Sequence, residues 1–379
     1  MFLEVRGLSI VDESERWQRM NSTLGLLLVV AAGALNGTYA LPLKATKRWA
    51  WENTWLVYSF VGMLAAGWAM AVYTVPHLAT VYASAGLAVI AQVFLFGMLW
   101  GVANFLFGVA IDMLGISLAF PLSIGLSLAL GSLLTLAAKD PAALLSAGGM
   151  VTVAGVAVIV GGVTVCAIAG AQRDREQDQT ASQASAPVAR SPRRLVLGLA
   201  VAIASGLFDP MLNFAFQFGG QIEEAAAAQE AHPLACTDAL WVWPLLGSFV
   251  VNTAYCSFRL TRNGTWQRYC QAGTAGHWGL AALMGLIWMG SIALYGRGAS
   301  LMGSHGKSVG WAVFYCAIIL FSGLWGILCG EWRGAGRRPM RTMLAGLAML
   351  AAAFIVLGYG NHLFELIPEN PASLQGATP

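Results

Sequence analysis

One acidic residue, Asp209, lies well inside a long apolar segment of this 379-residue sequence. A charged carboxylate at the centre of a lipid bilayer costs roughly 2.5–3.5 kcal/mol, so burial without a cation favours the protonated form. Asp209 is therefore a candidate for binding and releasing a proton. Because Pro210 follows it, Asp209 could also cap a helix that restarts at the proline, and the two roles are compatible.

Amide side chains form a second group of candidates inside apolar segments. Asn213 and Gln217 follow Asp209 by four and eight residues, which places them on the same helical face. Asn36 and Asn104 lie in two earlier apolar segments. Amides offer both donors and acceptors, so they suit a polar solute. The alternative is that they form interhelical hydrogen bonds that hold a bundle together.

The elements that carry these residues are too apolar for a soluble protein. Hydrophobic residues make up 58% of the chain and charged residues 10%, whereas globular proteins have about 25% charged residues. About 20 apolar residues are needed to cross a bilayer as a helix. Ten segments meet this requirement, which predicts an all-α, polytopic membrane protein. They are 22–42, 53–74, 88–111, 116–138, 148–171, 194–218, 239–260, 272–296, 307–330 and 340–360.

Polar segments divide the chain into five parts. They are a 1–21 extramembrane segment, a five-helix unit at 22–171, a flexible linker at 172–193, a second five-helix unit at 194–360 and a tail at 361–379. A tight turn at Asp112–Gly115 is predicted to join the third and fourth spans.

The distribution of lysine and arginine predicts the orientation. Six of the 21 lie on the face that holds both termini, and the remainder lie at the face that holds the linker. Because the positive face is cytoplasmic, both termini should be periplasmic or extracellular in a bacterial-type inner membrane.

An internal repeat relates the two halves. Trp100 and Trp288 begin the same pattern, W-x6-[FY]-G-x6-G, in the third and eighth spans, 188 residues apart. Asn36 and Asp209 occupy matching positions in the first and sixth spans, 173 residues apart. Since each half has five spans, the halves enter the membrane from opposite sides, which predicts the inverted repeat common in secondary transporters.

Three stretches have a distinctive composition. Val93–Asn104 combines glycine with tryptophan, Tyr39–Glu52 combines arginine with tryptophan, and Glu331–Pro339 contains all three residue types. These stretches resemble the L-rhamnose–proton symporter family of the drug/metabolite transporter superfamily, and the resemblance runs from Gly25 to Gly360. It implies ten spans in two inverted halves, outward-facing termini and import of a 6-deoxyhexose with a proton. Asp209-Pro210 departs from the family pattern.

A sugar presents C–H faces that stack on aromatic rings, so aromatic residues within the spans are candidates too. Trp100 and Trp288 stand out because the repeat places them symmetrically, and Tyr39 and Tyr295 belong to the same class, as do Trp311 and Tyr315. The alternative is a role in the core or in the interfacial belt. Trp49, Trp51 and Trp55 are expected to be interface anchors.

Several function classes are excluded by what the sequence lacks. It has neither a Walker A nor an HExxH motif, and its six cysteines form no CxxC. We therefore expect no enzyme activity, no cofactor and no metal. The small net charge of +3 predicts no nucleic-acid partner. The expected partners are a sugar, a proton and the lipid bilayer.

The sequence thus predicts a proton-coupled monosaccharide importer for L-rhamnose or a related deoxy sugar. Two alternatives remain at this point. One is an exporter or exchanger of another small metabolite, and the other is a membrane receptor that binds sugar without moving it.

Overall fold

The structure, a computed structural model, describes residues 2–114, 116–181 and 192–366. Its regular elements within those ranges are all helical. This is the outcome that a lipid environment dictates, because a helix satisfies its backbone hydrogen bonds internally. The helices, including 3-10 and π segments, are Phe2–Thr38, Leu41–Ala45, Trp51–Ser59, Phe60–Ala66, Gly67–Thr74, Leu78–Ala85, Leu87–Leu114, Ile116–Leu128, Ala129–Leu134, Thr135–Lys139, Pro141–Leu145, Ala147–Ala181, Pro192–Phe208, Met211–Phe218, Gly220–Ala228, Cys236–Asn263, Trp266–Cys270, Ala275–Leu301, Gly306–Leu328 and Arg337–Glu365.

Ten of the described segments are long and apolar enough to span a membrane, which confirms the predicted number. We refer to them as the first to tenth spans. In chain order they are Met20–Ala45, Trp51–Thr74, Leu87–Ile111, Pro121–Lys139, Ala147–Glu176, Leu195–Ala228, Cys236–Asn263, Ala275–Leu301, Gly306–Leu328 and Arg337–Phe364.

Two of the predicted boundaries need correction. The helix of the fifth span continues to Ala181, ten residues into the predicted linker, and residues 182–191 lie outside the described part of the chain. The last helix runs to Glu365, into the predicted tail. The segment 1–21 is helical from Phe2 and continuous with the first span, and its position outside the membrane stays a prediction. Most of the turn predicted at Asp112–Gly115 is helical, since one helix ends at Leu114 and the next begins at Ile116, and Gly115 lies outside the described residues.

The spans pack in matched pairs. The first span contacts the eighth and ninth, and the sixth contacts the third and fourth. The second span contacts the eighth, and the seventh contacts the third. The fifth packs against the tenth, and the second against the seventh. A shift of five in span number exchanges the two halves. It converts each of the first six pairs into another pair of the set, and it converts the fifth–tenth and second–seventh pairs into themselves.

Glycines allow the matched spans to approach closely. A Cβ atom on Gly33 would lie 2.7 Å from the carbonyl oxygen of Phe314, and one on Gly206 would lie 2.8 Å from that of Ser123. Both distances are shorter than van der Waals contact, so neither position has room for a side chain. The two glycines are 173 residues apart, which is the spacing of the repeat in the first and sixth spans.

The sixth span is broken within the membrane. One helix ends at Phe208, Asp209 and Pro210 form a turn, and the next helix begins at Met211. Proline lacks a backbone N–H and clashes with the preceding turn, which explains the interruption. The predicted break is thus present, and it exposes a polar residue to the interior of the bundle.

Candidate functional site

The bundle encloses a central cavity of about 440 Å³. Its walls come from the first, second, third, fourth, sixth, eighth and ninth spans, so both halves contribute. The lining residues are Asn36, Tyr39, Trp51, Trp55, Tyr58, Met63, Trp100, Ala103, Asn104, Phe107, Gly108, Ser123, Ile124, Ser205, Asp209, Leu212, Trp288, Ile292, Trp311, Phe314, Tyr315, Ile318, Ile319 and Ser322. A site of this size is typical of small-molecule pockets, which hold roughly 300–1,000 Å³.

The cavity reaches one end of the bundle. Its lining extends to Trp51 at the start of the second span and to Ser322 near the end of the ninth, whereas it stops at Met63, Ile292 and Trp311 in the other direction. We call the first end, which carries the connections 46–50, 264–274 and 329–336, the open end. The opposite end, with the connections 75–86, 140–146, 229–235 and 302–305, is the closed end.

Asp209 lies in the cavity wall at the break in the sixth span. Its Oδ2 atom accepts a hydrogen bond from the Ser127 hydroxyl and another from the Tyr315 hydroxyl, each 2.5 Å long. No lysine or arginine is among the described residues that line the cavity. The helix that begins at Met211 has Pro210 at its cap position and no side-chain capping bond. The geometry thus places the carboxylate among hydroxyls and not in the capping position that the sequence left open.

Two indoles from opposite halves meet in the cavity wall. The rings of Trp100 and Trp288 are stacked, with centroids 5.8 Å apart and planes 17° from parallel. Tyr58 packs edge-on against Trp288, with 6.0 Å between centroids, and stacks on Tyr39 at 5.4 Å. Such a wall offers apolar ring surfaces bordered by polar groups.

Two tryptophans expected to anchor the membrane interface line the cavity instead. Trp51 and Trp55 stack on each other with centroids 5.0 Å apart. The Trp55 indole donates a hydrogen bond of 3.1 Å to Asn252 Oδ1 in the seventh span. The interface prediction was wrong for this pair, because the second span begins at the open end and turns these rings inward. Trp51 is nevertheless 40% exposed.

Six of the nine residues predicted for the site line the cavity. They are Asn36, Tyr39, Trp100, Asn104, Asp209 and Trp288. Asn36 donates a hydrogen bond of 2.9 Å from Nδ2 to the Ser291 hydroxyl in the eighth span.

The remaining three, Asn213, Gln217 and Tyr295, are not in the cavity wall. They lie beyond it, towards the closed end, where Tyr295 donates a hydrogen bond of 2.7 Å to Asn213 Oδ1. A residue four positions further along a helix is on the same face but about 6 Å further along the axis, and eight positions give about 12 Å. The prediction considered the helical face of Asn213 and Gln217 but not their depth along the span.

Sequence reasoning missed several lining residues. Ser123, Ser205 and Tyr58 are lining residues, and Ser127 binds Asp209 without being one of them. Serine and tyrosine are common in apolar spans for packing reasons, so their type alone gives no signal. For Ser205 a signal existed, because it precedes Asp209 by one helical turn.

The spans hold more ionisable residues than Asp209. Asp238 is fully buried and forms an ion pair of 2.6 Å with Arg297. Glu223 pairs with Lys307 at 2.6 Å. The prediction of one carboxylate within the spans was wrong, because the sixth to ninth spans are longer at the closed end than hydropathy indicated. No group of three or more possible metal ligands occurs among the residues that the structure describes.

Comparison with known proteins identifies the family. A family model described as L-rhamnose-proton symport protein matches residues 20–362. The L-rhamnose-proton symporter of Cronobacter sakazakii is 28% identical over 345 residues, which cover 89% of this chain and 97% of that protein. Those of Shigella boydii serotype 18 and Escherichia coli strain SMS-3-5 are each 27% identical, with 89% of this chain and 98% of the relative covered. No solved structure matches the chain. The chain therefore belongs to the L-rhamnose–proton symport protein family.

Proposed function

We propose that this protein is a secondary active transporter that imports a monosaccharide, L-rhamnose or a related deoxy sugar, together with a proton. The observation that carries the proposal is the position of Asp209, a carboxylate in the wall of a cavity lined by indoles, amides and hydroxyls. The family membership and the names of the relatives support the same substrate class.

The aromatic and amide groups provide the sugar site in this proposal. Sugar C–H faces and the methyl group of a deoxy sugar pack against the Trp100, Trp288 and Tyr39 rings. Asn36 and Asn104 supply donors and acceptors for the hydroxyls. A cavity that combines a mainly apolar lining with a few polar groups is the usual composition of a small-molecule site.

Asp209 supplies the coupling. In the charged state its Oδ2 atom accepts hydrogen bonds from Ser127 and Tyr315, which stabilise the carboxylate. Protonation removes the charge and makes the carboxyl group a donor, so sugar binding becomes favourable in the neutral cavity. Release of the proton on the other side restores the charge and disfavours the loaded state. The two events are linked through one cavity, which is what symport requires.

Alternating access in this proposal comes from two inverted five-span halves. The matched helix pairs and the matched glycines at Gly33 and Gly206 support the repeat. Superposition of the first five spans on the last five should require an axis in the membrane plane and should place Trp100 on Trp288 and Asn36 on Asp209. A shift of more than one helical turn at either pair would contradict the alignment.

We further propose that both termini are periplasmic, which makes the open end cytoplasmic. The concentration of arginine and lysine at the open end supports this orientation. A C-terminal reporter that is active only in the cytoplasm should stay silent. Activity of that reporter would reverse the orientation and, with it, the side on which the cavity opens.

The substitution Asp209→Asn tests the coupling, because asparagine mimics the neutral form. In proteoliposomes the variant should keep sugar binding and counterflow exchange and lose accumulation driven by an imposed proton gradient. Asp174→Asn, which changes a half-exposed carboxylate outside the cavity, is the control and should accumulate sugar normally. If Asp209→Asn concentrates sugar at the wild-type rate, the coupling site lies elsewhere.

The same assay separates the alternatives. An exporter or exchanger shows counterflow with another metabolite and no sugar accumulation. A receptor raises its thermal stability with sugar, since binding shifts the unfolding equilibrium, but moves none across the membrane.

A further inference from the structure

A layer of polar side chains lies between the cavity and the closed end. It comes from the fourth, sixth, eighth and ninth spans, and therefore from both halves of the chain. We call it the polar layer, and its members are Thr135, Asn213, Gln217, Tyr295, Lys307 and Ser308.

Hydrogen bonds connect the four spans through this layer. Asn213 donates from Nδ2 to the Gly131 carbonyl at 2.7 Å, and Tyr295 donates to Asn213 Oδ1 at 2.7 Å. Gln217 donates from Nε2 to the Ser308 hydroxyl at 2.7 Å. Thr135 lies 3.1 Å from the same hydroxyl. Thr135, Asn213, Tyr295 and Ser308 are at most 1% exposed, so the hydrogen bonds between them form in a low-dielectric environment.

An ion pair covers the layer on the side of the closed end. Lys307 Nζ lies 2.6 Å from Glu223 Oε1, and it also donates a hydrogen bond of 2.9 Å to the Phe216 carbonyl. The ammonium stands 4.2 Å from the centroid of the Phe216 ring. The two side chains are only 16% and 19% exposed. Glu223 belongs to the short helix Gly220–Ala228 at the end of the sixth span, so the pair ties that helix to the start of the ninth.

We propose that the Lys307–Glu223 pair and the polar layer form a gate, which closes the cavity towards the closed end and must break for solute to enter there. The proposal rests on the proposed function for the identity of the solute and for the direction of transport. The gate itself is inferred from the contacts alone, since they join four spans from two halves between the cavity lining and the closed end.

A buried ion pair suits a gate because its two states are close in free energy. Desolvation offsets much of the attraction between the charges in the closed state, and water solvates both charges once the gate opens. Packed aliphatic side chains in the same place would lose their contacts with no such compensation. The repeat supports a specialised role, since the positions that match Asn213 and Tyr295 by its two offsets hold Ala40 and Phe107, which cannot form such a layer.

The accessibility of a cysteine in the cavity tests the gate. The six native cysteines are replaced by serine or alanine, and Ser322→Cys, a conservative change in the cavity wall, serves as the reporter. A membrane-impermeant maleimide is then added to vesicles of each orientation. The reporter should react readily from the open end and slowly from the closed end.

Glu223→Gln should raise the labelling rate from the closed end about tenfold, because it destabilises the closed state relative to the open one. Glu224→Gln changes the neighbouring exposed carboxylate and is the matched control, for which the rate should stay at the wild-type value. Glu223→Lys should also label fast, and adding Lys307→Glu, which restores a pair of opposite charges, should slow the labelling again.

An unchanged rate from the closed end in Glu223→Gln would overturn the gate. If the charge-swapped protein fails to fold, Glu223→Gln and Tyr295→Phe, which removes one hydroxyl of the layer, still decide the question. The labelling needs no sugar, so the two proposals fail separately. Sugar transport with labelling insensitive to Glu223 refutes the gate, and a gate response without sugar transport refutes the proposed substrate.

Discussion

Among the described residues, the open end and the closed end of the bundle each carry one lysine–glutamate ion pair, and the two pairs differ in burial. Lys44 and Glu331, at the open end, are 2.5 Å apart with side chains 50% and 46% exposed. Lys307 and Glu223, at the closed end, are 2.6 Å apart with side chains 16% and 19% exposed. Water therefore screens the charges of the Lys44–Glu331 pair much more strongly than those of the Lys307–Glu223 pair. The distance between the charged atoms is thus a poor guide to how much an ion pair stabilises a conformation. The burial of the two side chains is the better guide.

The largest effect is expected from substitutions that break each of the two ion pairs. Lys307→Met leaves Glu223 buried without its cation and should lower the free energy of unfolding by about 3–5 kcal/mol, the typical cost of breaking a buried pair. Lys44→Met should lower it by less than about 1 kcal/mol, because exposed pairs contribute little. Unfolding of the purified variants in mixed micelles by a denaturing detergent measures both values. Equal losses of unfolding free energy would mean that burial does not determine how much these two ion pairs contribute to stability.

A smaller effect is expected from adding one methyl group at each end. A Cβ atom on Gly131 would overlap the Trp311 indole, whereas one on Gly108 meets nothing within 4 Å. Gly131→Ala should therefore cost about 1–3 kcal/mol of stability through overpacking. It should also speed labelling of the cavity from the closed end. Gly108→Ala is the matched control, and the same two assays should find it close to wild type. A tolerated Gly131→Ala would show that the closed end has room to repack.

The smallest effect is expected from removing one hydroxyl group in the polar layer and one in the cavity wall. Tyr295→Phe deletes a hydrogen bond to Asn213 in the polar layer and should cost about 1 kcal/mol of stability, with the sugar dissociation constant unchanged. Tyr39→Phe alters the cavity wall and should change sugar affinity more than stability. Thermal unfolding with and without sugar gives both quantities for each variant. A loss of affinity in Tyr295→Phe would place that residue in the sugar site after all.

Several features of the site could be read from the sequence because each depends on a local rule. The break at Asp209-Pro210 follows from the chemistry of proline, and the carboxylate there was identified because charge is rare in apolar segments. Trp100 and Trp288 were singled out by the repeat spacing, and their rings stack in the cavity wall. These inferences needed no knowledge of how the helices are arranged.

Other features depended on depth and on neighbours. Asn213, Gln217 and Tyr295 have the right residue types on the right helices, yet they lie in the polar layer and not in the cavity. Their height along the bundle depends on where each span starts and how the sixth span bends, which a hydropathy profile does not resolve. Trp51 and Trp55 were assigned to the interface for the same reason.

The sequence by itself determined the class of protein, the ten spans and the broken sixth helix. A bilayer requires about 20 apolar residues for each helix and leaves no alternative secondary structure to such a segment, so local composition is sufficient. Only the tertiary structure decided that Ser127 and Tyr315 meet Asp209, that Glu223 meets Lys307, and that the cavity opens at one end. These contacts join residues 82 to 106 positions apart in the chain. They are fixed by the packing of whole helices, where glycines such as Gly33 and Gly206 set how closely two spans approach, and no local pattern encodes that distance.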